Sequence, residues 1–342
     1  MSAPHTALVW PFRTPSNRYI ELHKLLLAEI GYQPRPLSLL GLLRGDWRLL
    51  LRRDTLVTLH WFESLPFRAS GRALSLTGWP TFSLIVLLLW ATPARSVYFV
   101  HNHAVHDVQG FWKRLSERLI RLLCQVTSVR VVHDPGPAAN VTYRADYLPH
   151  PLYWDAPGAP APRRMPSALA VPRFSVLGSI RPYKRLDEML EHWPTALPLL
   201  VAGRCSEALE TSLRAIIERR GLAPSVRLEC GFLDEASFAA QLDATDVLLL
   251  PHDPESMLVS GGFFEAFGRV PLIIARASPF MRGMAEQHPN IHIYERADEL
   301  APLLSAVLAD WSTVPDARAD AARSQFGWAA CVRSYRHLLA PR

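Results

Sequence analysis

The residues Gly178-Ser179-Ile180-Arg181-Pro182-Tyr183-Lys184-Arg185 follow the apolar run Phe174 to Leu177 and precede a helical pattern that starts near Leu186. A strand end, a glycine turn and a helix start carrying Arg181 and Lys184 form a place where an anion, above all a diphosphate, is held by cations and free backbone N–H groups. Further on, Leu250-Pro251-His252-Asp253-Pro254-Glu255 ends a second apolar run, and Ser260-Gly261-Gly262 opens another helix. Consecutive glycines there leave N–H groups for a phosphate or a sugar hydroxyl, and Glu265, one turn in, has acceptor oxygens for a ribose diol. The first half offers His60-Trp61-Phe62-Glu63 after one apolar run and His101-Asn102-His103-Ala104-Val105-His106-Asp107 after another. Imidazoles and carboxylates after parallel strands suit proton transfer near neutral pH or the binding of sugar hydroxyls. Histidines two and three apart in a loop lack the i, i+4 presentation of zinc enzymes, so no metal is expected.

These groups need strands to end beneath them, and the pattern supplies strands. Ala7 to Pro11, Leu56 to His60, Val97 to Val100 and Val129 to Val132 read as buried strands, with helices over Tyr19 to Ile30 and Phe111 to Cys124. A proline-rich stretch from Asp155 to Arg173 reads as a linker. Strands then recur at 174–177, 199–202, 226–230, 247–250 and 272–275, alternating with helices over 186–192, 207–220, 235–244 and 262–268. Such alternation predicts parallel sheets covered by helices, the α/β class. A chain of 342 residues exceeds what one core organises, so two domains are expected, 1–154 and 174–325. The segment Phe326 to Leu339 carries Trp328, Val332, Tyr335 and Leu338 at helical spacing and is expected to bury one face.

Lys and Arg exceed Asp and Glu by 37 to 31, which suits an acidic partner such as a phosphate or an anionic lipid headgroup. Nucleic acid is not expected, because the cations are scattered and no recognition helix or aromatic-basic platform accompanies them. Cys124, Cys205, Cys230 and Cys331 lie far apart without a C-x-x-C pair, which points to the reducing cytoplasm. The dense apolar run from Phe82 to Ala91 is too short to span a bilayer and reads as a buried helix. Leu37 to Arg53 mixes leucines and Trp47 with Arg44, Arg48, Arg52 and Arg53, the composition of a helix lying either on an anionic membrane or against a core.

Taken in order, the His-Trp at 60–61, the His-Asn-x-x-x-His at 101–106, Gly178 through Lys184, Ser260-Gly261 and Glu265-Ala266 ahead of Pro271 resemble bacterial GT-B glycosyltransferases. More narrowly, they are similar to the xanthan-type glycolipid β-mannosyltransferases of exopolysaccharide assembly. The resemblance implies two Rossmann-like domains facing a cleft and a last helix, 326–342, crossing back to the first domain. It implies a donor site of Gly178, Arg181, Lys184, Ser260, Gly261 and Glu265, and an acceptor site of His60, Glu63, His101 and Asn102. The donor would be a nucleotide-sugar, GDP-mannose by the narrower likeness, and the acceptor a polyprenyl-diphosphate-linked saccharide at the cytoplasmic face of the inner membrane, with no metal cofactor. Two departures bear on mechanism. Ser179 stands where such enzymes usually carry Arg, and Met257 where the first of two paired glutamates is usual. The second points to inversion and a base from the first domain, for which Asp107 and His106, with His103 upstream, are the candidates; Asp107 as a helix cap is the structural alternative. A retaining transferase using a UDP-sugar, an inactive GT-B scaffold and a nucleotide-sugar epimerase are the competing readings.

Overall fold

The computed structural model describes residues 5–14, 17–68, 73–105, 108–136, 141–162, 171–255, 258–311 and 318–341. The chain forms two units, one of residues 1–157, 256–259 and 325–342, the other of 158–255 and 260–324. The expected linker thus straddles the boundary, although 163–170 lie outside the described residues.

The first unit is built on a six-stranded parallel sheet ordered β2-β1-β3-β4-β5-β6. Its strands are β1 (His5–Trp10), β2 (Tyr32–Pro36), β3 (Leu56–His60), β4 (Arg95–Phe99), β5 (Val129–Val132) and β6 (Asp146–Tyr147). Helices cover both faces, so the central strands are apolar almost throughout rather than alternating. On one face Val57, Leu59 and Tyr98 meet Phe82, Ile85 and Leu89 of α2 (Gly78–Ala91) and Leu119, Ile120 and Leu123 of α3 (Gly110–Val126). On the other, Leu56, Val97, Phe99 and Val131 meet Leu26 and Leu27 of α1 (Tyr19–Glu29) and Cys331, Tyr335 and Leu339 of the last helix, Trp328–Leu339. The buried stripe of that last helix centres on Cys331, Tyr335 and Leu339; Trp328, Val332 and Leu338 pack beside it, partly covered.

Two apolar segments depart from expectation. The α2 helix is not buried all round: one side enters the core, while Leu87 and Trp90 stand out, Trp90 at 73 % exposure. The segment 37–53 is not one helix but two short turns, Leu39–Gly41 and Trp47–Leu50, joined through a kink at Gly45 whose φ of 112° only glycine adopts readily. It buries Leu37, Leu42 and Leu50 and leaves Leu43 85 % exposed.

The second unit holds another parallel sheet of six strands, ordered β12-β11-β10-β7-β8-β9. They are β7 (Phe174–Leu177), β8 (Leu199–Gly203), β9 (Val226–Cys230), β10 (Val247–Leu250), β11 (Leu272–Arg276) and β12 (Ile291–Tyr294). Sequence order runs outward from β7 to β9 on one side and from β10 to β12 on the other, so the switch point lies between β7 and β10. Ligands of open α/β sheets bind outside the carboxyl ends of the strands at such a point.

Candidate functional site

In the second unit, the loops after β7 and β10 meet at that switch point. The chain leaves β7 at Gly178, with φ of 94°, and the Gly178 carbonyl passes so close to Gly203 at the end of β8 that a Cβ on Gly203 would lie 2.0 Å from its oxygen. Glycine at both positions lets the turn fold tightly, and the turn brings Lys184 back under the strand it has just left. The Lys184 side chain is buried, its Nζ donating to the Leu177 carbonyl at 3.2 Å and lying 3.7 Å from where a Cβ on Gly178 would be. No carboxylate offsets its charge among the described residues, and burial lowers its pKa to about 8. A buried ammonium answered only by a carbonyl is costly, and a nearby anion would offset that cost. Arg181, by contrast, is exposed at the rim with Ser179. The loop after β10 is tied to this turn: the Asp253 N–H donates to the Tyr183 carbonyl at 2.8 Å, and the His252 ring stacks on Tyr183 with centroids 5.9 Å apart. Ser260 is buried at the start of the helix Gly261–Ala266, where Gly261 is exposed and Glu265 half-buried.

In the first unit, histidines stand where successive strands end. His60 closes β3, His101 and His133 follow β4 and β5, and His150 follows β6; with His23 of α1 they converge on Tyr19. All five are buried. His133 Nδ1 donates to the Leu148 carbonyl at 2.7 Å, which leaves Nε2 to accept from the Tyr19 hydroxyl at 2.7 Å. His23 bridges Tyr335 and Thr58, each at 3.1 Å, and His60 Nδ1 lies 3.1 Å from His101 Nε2. The remaining nitrogen of His60 is buried without a hydrogen-bond partner among the described residues. Burial holds every one of these imidazoles neutral: His23 falls to about 3, His133 to about 4, and His60, His101 and His150 well below the usual histidine value. Among the described residues, no three such side chains converge as metal ligands do.

Of the residues expected to meet an acceptor, His60, His101 and Asn102 gather at this edge, with His60 fully buried beneath the others. Glu63 does not join them. It is buried on the side where Tyr98 packs and accepts a 2.8 Å hydrogen bond from the Tyr98 hydroxyl. The cause is local: Trp61 takes a left-handed conformation and the 3-10 turn Phe62–Ser64 follows, rotating Glu63 inward. Burial raises its pKa to about 7, against the opposing pull of the Tyr98 hydrogen bond. His103 is half-buried, its Nδ1 2.8 Å from the Tyr143 hydroxyl. His106, Asp107 and Met257 lie outside the described residues. Sequence reasoning passed over His23, His133 and His150; the recurrence of histidine after strand ends was the available sign.

No protein-family model matches this sequence, and no curated protein sequence is similar to it. Its structure, however, resembles solved ones over nearly its whole length. A sucrose-phosphate synthase from Thermosynechococcus elongatus superposes with a TM-score of 0.68 at 14% identity, covering 98% of this chain and 99% of that one. HepE from Anabaena, solved with UDP, gives 0.65 at 12% identity, with 98% of each chain covered. The fold is GT-B. A putative UDP-N-acetylglucosamine 2-epimerase from Listeria monocytogenes shares it at a TM-score of 0.56 and 12% identity, covering 97% of this chain and 94% of that one. One fold is therefore shared by proteins named for different reactions, and chemistry has to be argued from the side chains.

Proposed function

We propose that this chain is a glycosyltransferase that moves a hexose from a nucleoside-diphosphate sugar to a hydroxyl of a lipid-linked saccharide. The observation that carries the reading is Lys184, an ammonium buried under Gly178 at the β7–β10 switch point with no carboxylate to answer it among the described residues. A diphosphate supplies the missing charge, Arg181 at the rim adds a second contact, and Ser260, Gly261 and Glu265 stand on the adjoining segment for the nucleoside. HepE, a protein of the same fold, was solved with UDP. GDP-mannose remains our donor of choice from the sequence resemblance. In the transfer, the bond from the anomeric carbon to the diphosphate oxygen breaks, a bond to the acceptor oxygen forms, and the hydroxyl proton passes to a base of the first unit, for which Asp107, His106 and His103 are our candidates.

A lipid surface as partner is supported by the outer side of the first unit. The α2 helix carries no charged residue, and with α3 it bounds an apolar groove of about 280 Å³ lined by Trp79, Phe82, Val86, Leu87, Trp90 and Leu122 among others. Leu43 and Trp47 are exposed on the neighbouring segment beside Arg44 and Arg48, while Arg114, Arg118 and Arg121 are exposed on α3. Exposed apolar side chains together with exposed cations on the same unit fit the surface of an anionic membrane, here the cytoplasmic face of the inner membrane. No helix among the described residues is long and apolar enough to cross one.

The test is a thermal-shift and calorimetric screen of UDP, GDP, ADP and dTDP and their sugars with the wild type and Lys184→Ala. One nucleoside diphosphate should bind, and the variant should lose that binding; equal affinity in both proteins refutes the site. Product analysis separates the second reading, since the shared fold with an epimerase predicts an altered sugar released from added nucleotide-sugar without any acceptor.

A further inference from the structure

We infer that Trp61 is a stacking platform for a pyranose ring at the edge of the first sheet, an inference that rests on the glycosyltransferase reading and names a sugar-holding residue for it. In the order β2-β1-β3-β4-β5-β6, the chain leaves β1 for β2 on one side and returns to β3 on the other. The switch point of the first unit therefore lies between β1 and β3, and Trp61 is the first residue beyond β3.

Its backbone is in the left-handed region, with φ of 49° and ψ of 26°. Large aromatic side chains rarely adopt that conformation, and the surrounding structure has to hold them there. Here the indole packs among rings at the ends of the strands. One side stacks on His101, with ring centroids 4.3 Å apart and planes 21° apart, while the Tyr19 ring meets it edge-on at 5.8 Å. The neighbours His60, Phe62 and Glu63 are buried, yet Trp61 keeps part of its surface in solvent.

A tryptophan serving only the core has no use for this arrangement. Trp193 and Trp154 are buried without positive φ, and the exposed Trp90 belongs to the charge-free α2 helix, where it lines an apolar groove. Trp61 lies instead among polar rings that carry no charge, because burial keeps His60 and His101 neutral. Neutral rings have no Coulombic pull on a phosphate. What they suit is a ligand with one apolar face and hydroxyls at its rim, since C–H groups rest on the electron-rich indole face and hydroxyls find nearby amide and imidazole groups such as Asn102 and His101. A pyranose has that shape.

The test uses protein labelled with 5-fluorotryptophan, whose 10 tryptophans are followed by fluorine NMR. The Trp61 signal is assigned by its loss in Trp61→Asn and Trp61→Phe. Asparagine tolerates the left-handed backbone, so Trp61→Asn removes the ring without changing the turn, and phenylalanine keeps an aromatic face. Cellobiose and methyl α-mannoside are the sugar probes, and UDP and GDP the nucleotide controls. We expect a sugar to shift the Trp61 signal, with at least a tenfold weaker response of the remaining signals in Trp61→Asn, a change within threefold in Trp61→Phe, and urea midpoints alike. Sugar shifts confined to other tryptophans, or full sugar affinity in Trp61→Asn, overturn the platform while leaving a nucleotide response, and with it the transferase reading, intact. Silence toward sugars and nucleotides alike overturns both.

Discussion

Acidification from pH 7 to pH 5 should strip the first unit of much of its stability, and the buried histidines set the amount. A histidine whose folded pKa is depressed takes its proton first in the unfolded chain, so its cost begins as pH falls through about 6.5 and stops growing only below the folded value. For His23 that floor is about 3 and for His133 about 4, both outside the interval. Each such group costs about 2 kcal/mol between pH 7 and pH 5, so this pair costs about 4 kcal/mol. His60, His101 and His150, also held well below the usual value, add to that cost in the same direction. Glu63 works in the other sense. Its folded pKa of about 7 exceeds the unfolded value, so the folded state binds its proton first and gains about 2 kcal/mol over the same interval. His23, His133 and Glu63 together give a net loss of about 2 kcal/mol, which the other three histidines deepen, against total domain stabilities of about 5–15 kcal/mol. Urea unfolding followed by tryptophan fluorescence at pH 7, 6 and 5 measures it, and the slope of stability against pH near 5.5 should exceed the roughly one proton that His23, His133 and Glu63 give together, because the other three histidines act in the same direction. His133→Asn should lower that slope by about one proton. A slope below one proton, or stability that is flat from pH 7 to pH 5, would refute the assignment of these imidazoles as neutral and buried.

Lys184→Ala should weaken binding of the preferred nucleoside diphosphate by about 10- to 100-fold, the scale of one or two charge-assisted hydrogen bonds. Because an anion raises the Lys184 pKa from about 8, wild-type binding at pH 8 should take up about half a proton, read from calorimetry in two buffers of different ionisation enthalpy. Glu265→Gln should lower donor affinity with the melting temperature nearly level; a large stability loss at unchanged affinity would make Glu265 a structural residue instead. Trp90→Ser should reduce sedimentation with anionic vesicles while leaving nucleotide affinity unchanged, and wild-type sedimentation should weaken in concentrated salt; binding that resists both changes would rule out the α2 groove.

The strands that pattern alone missed share one position. β2, β6 and β12 are all edge strands, and edge strands lack the two-sided burial that writes a continuous apolar run. β2 even carries Pro34 and Pro36, tolerable there because one side of the strand has no ladder partner. The turn after β7 was legible because everything it needs is local: a strand end, a glycine with positive φ and a lysine six residues on. Glu63 was not, since its direction depends on the backbone of Trp61, and a left-handed tryptophan leaves no composition signal. Nor was the histidine cluster, whose members come from α1 and from the ends of four strands and meet only once the sheet is assembled.

The two switch points are chemically unlike, and the difference follows from what each sheet edge buries. At β7–β10 Lys184 is buried without a counter-charge among the described residues, so an anion proposed to bind there would gain most of its binding energy from one charge-assisted contact. At β1–β3 the buried groups are neutral imidazoles and a tryptophan held in a left-handed turn, so binding there draws on shape, ring stacking and single hydrogen bonds. Salt should therefore act on the two unequally. Screening weakens the nucleotide contact, least where Lys184 is buried and most at exposed Arg181, whereas sugar binding at Trp61 should hardly change. Comparing nucleotide and sugar affinities in the same protein at low and high salt separates the edges without a substitution. Equal salt dependence at both would mean that the first edge also recognises charge, and that the neutral state of His60 and His101 does not survive contact with ligand.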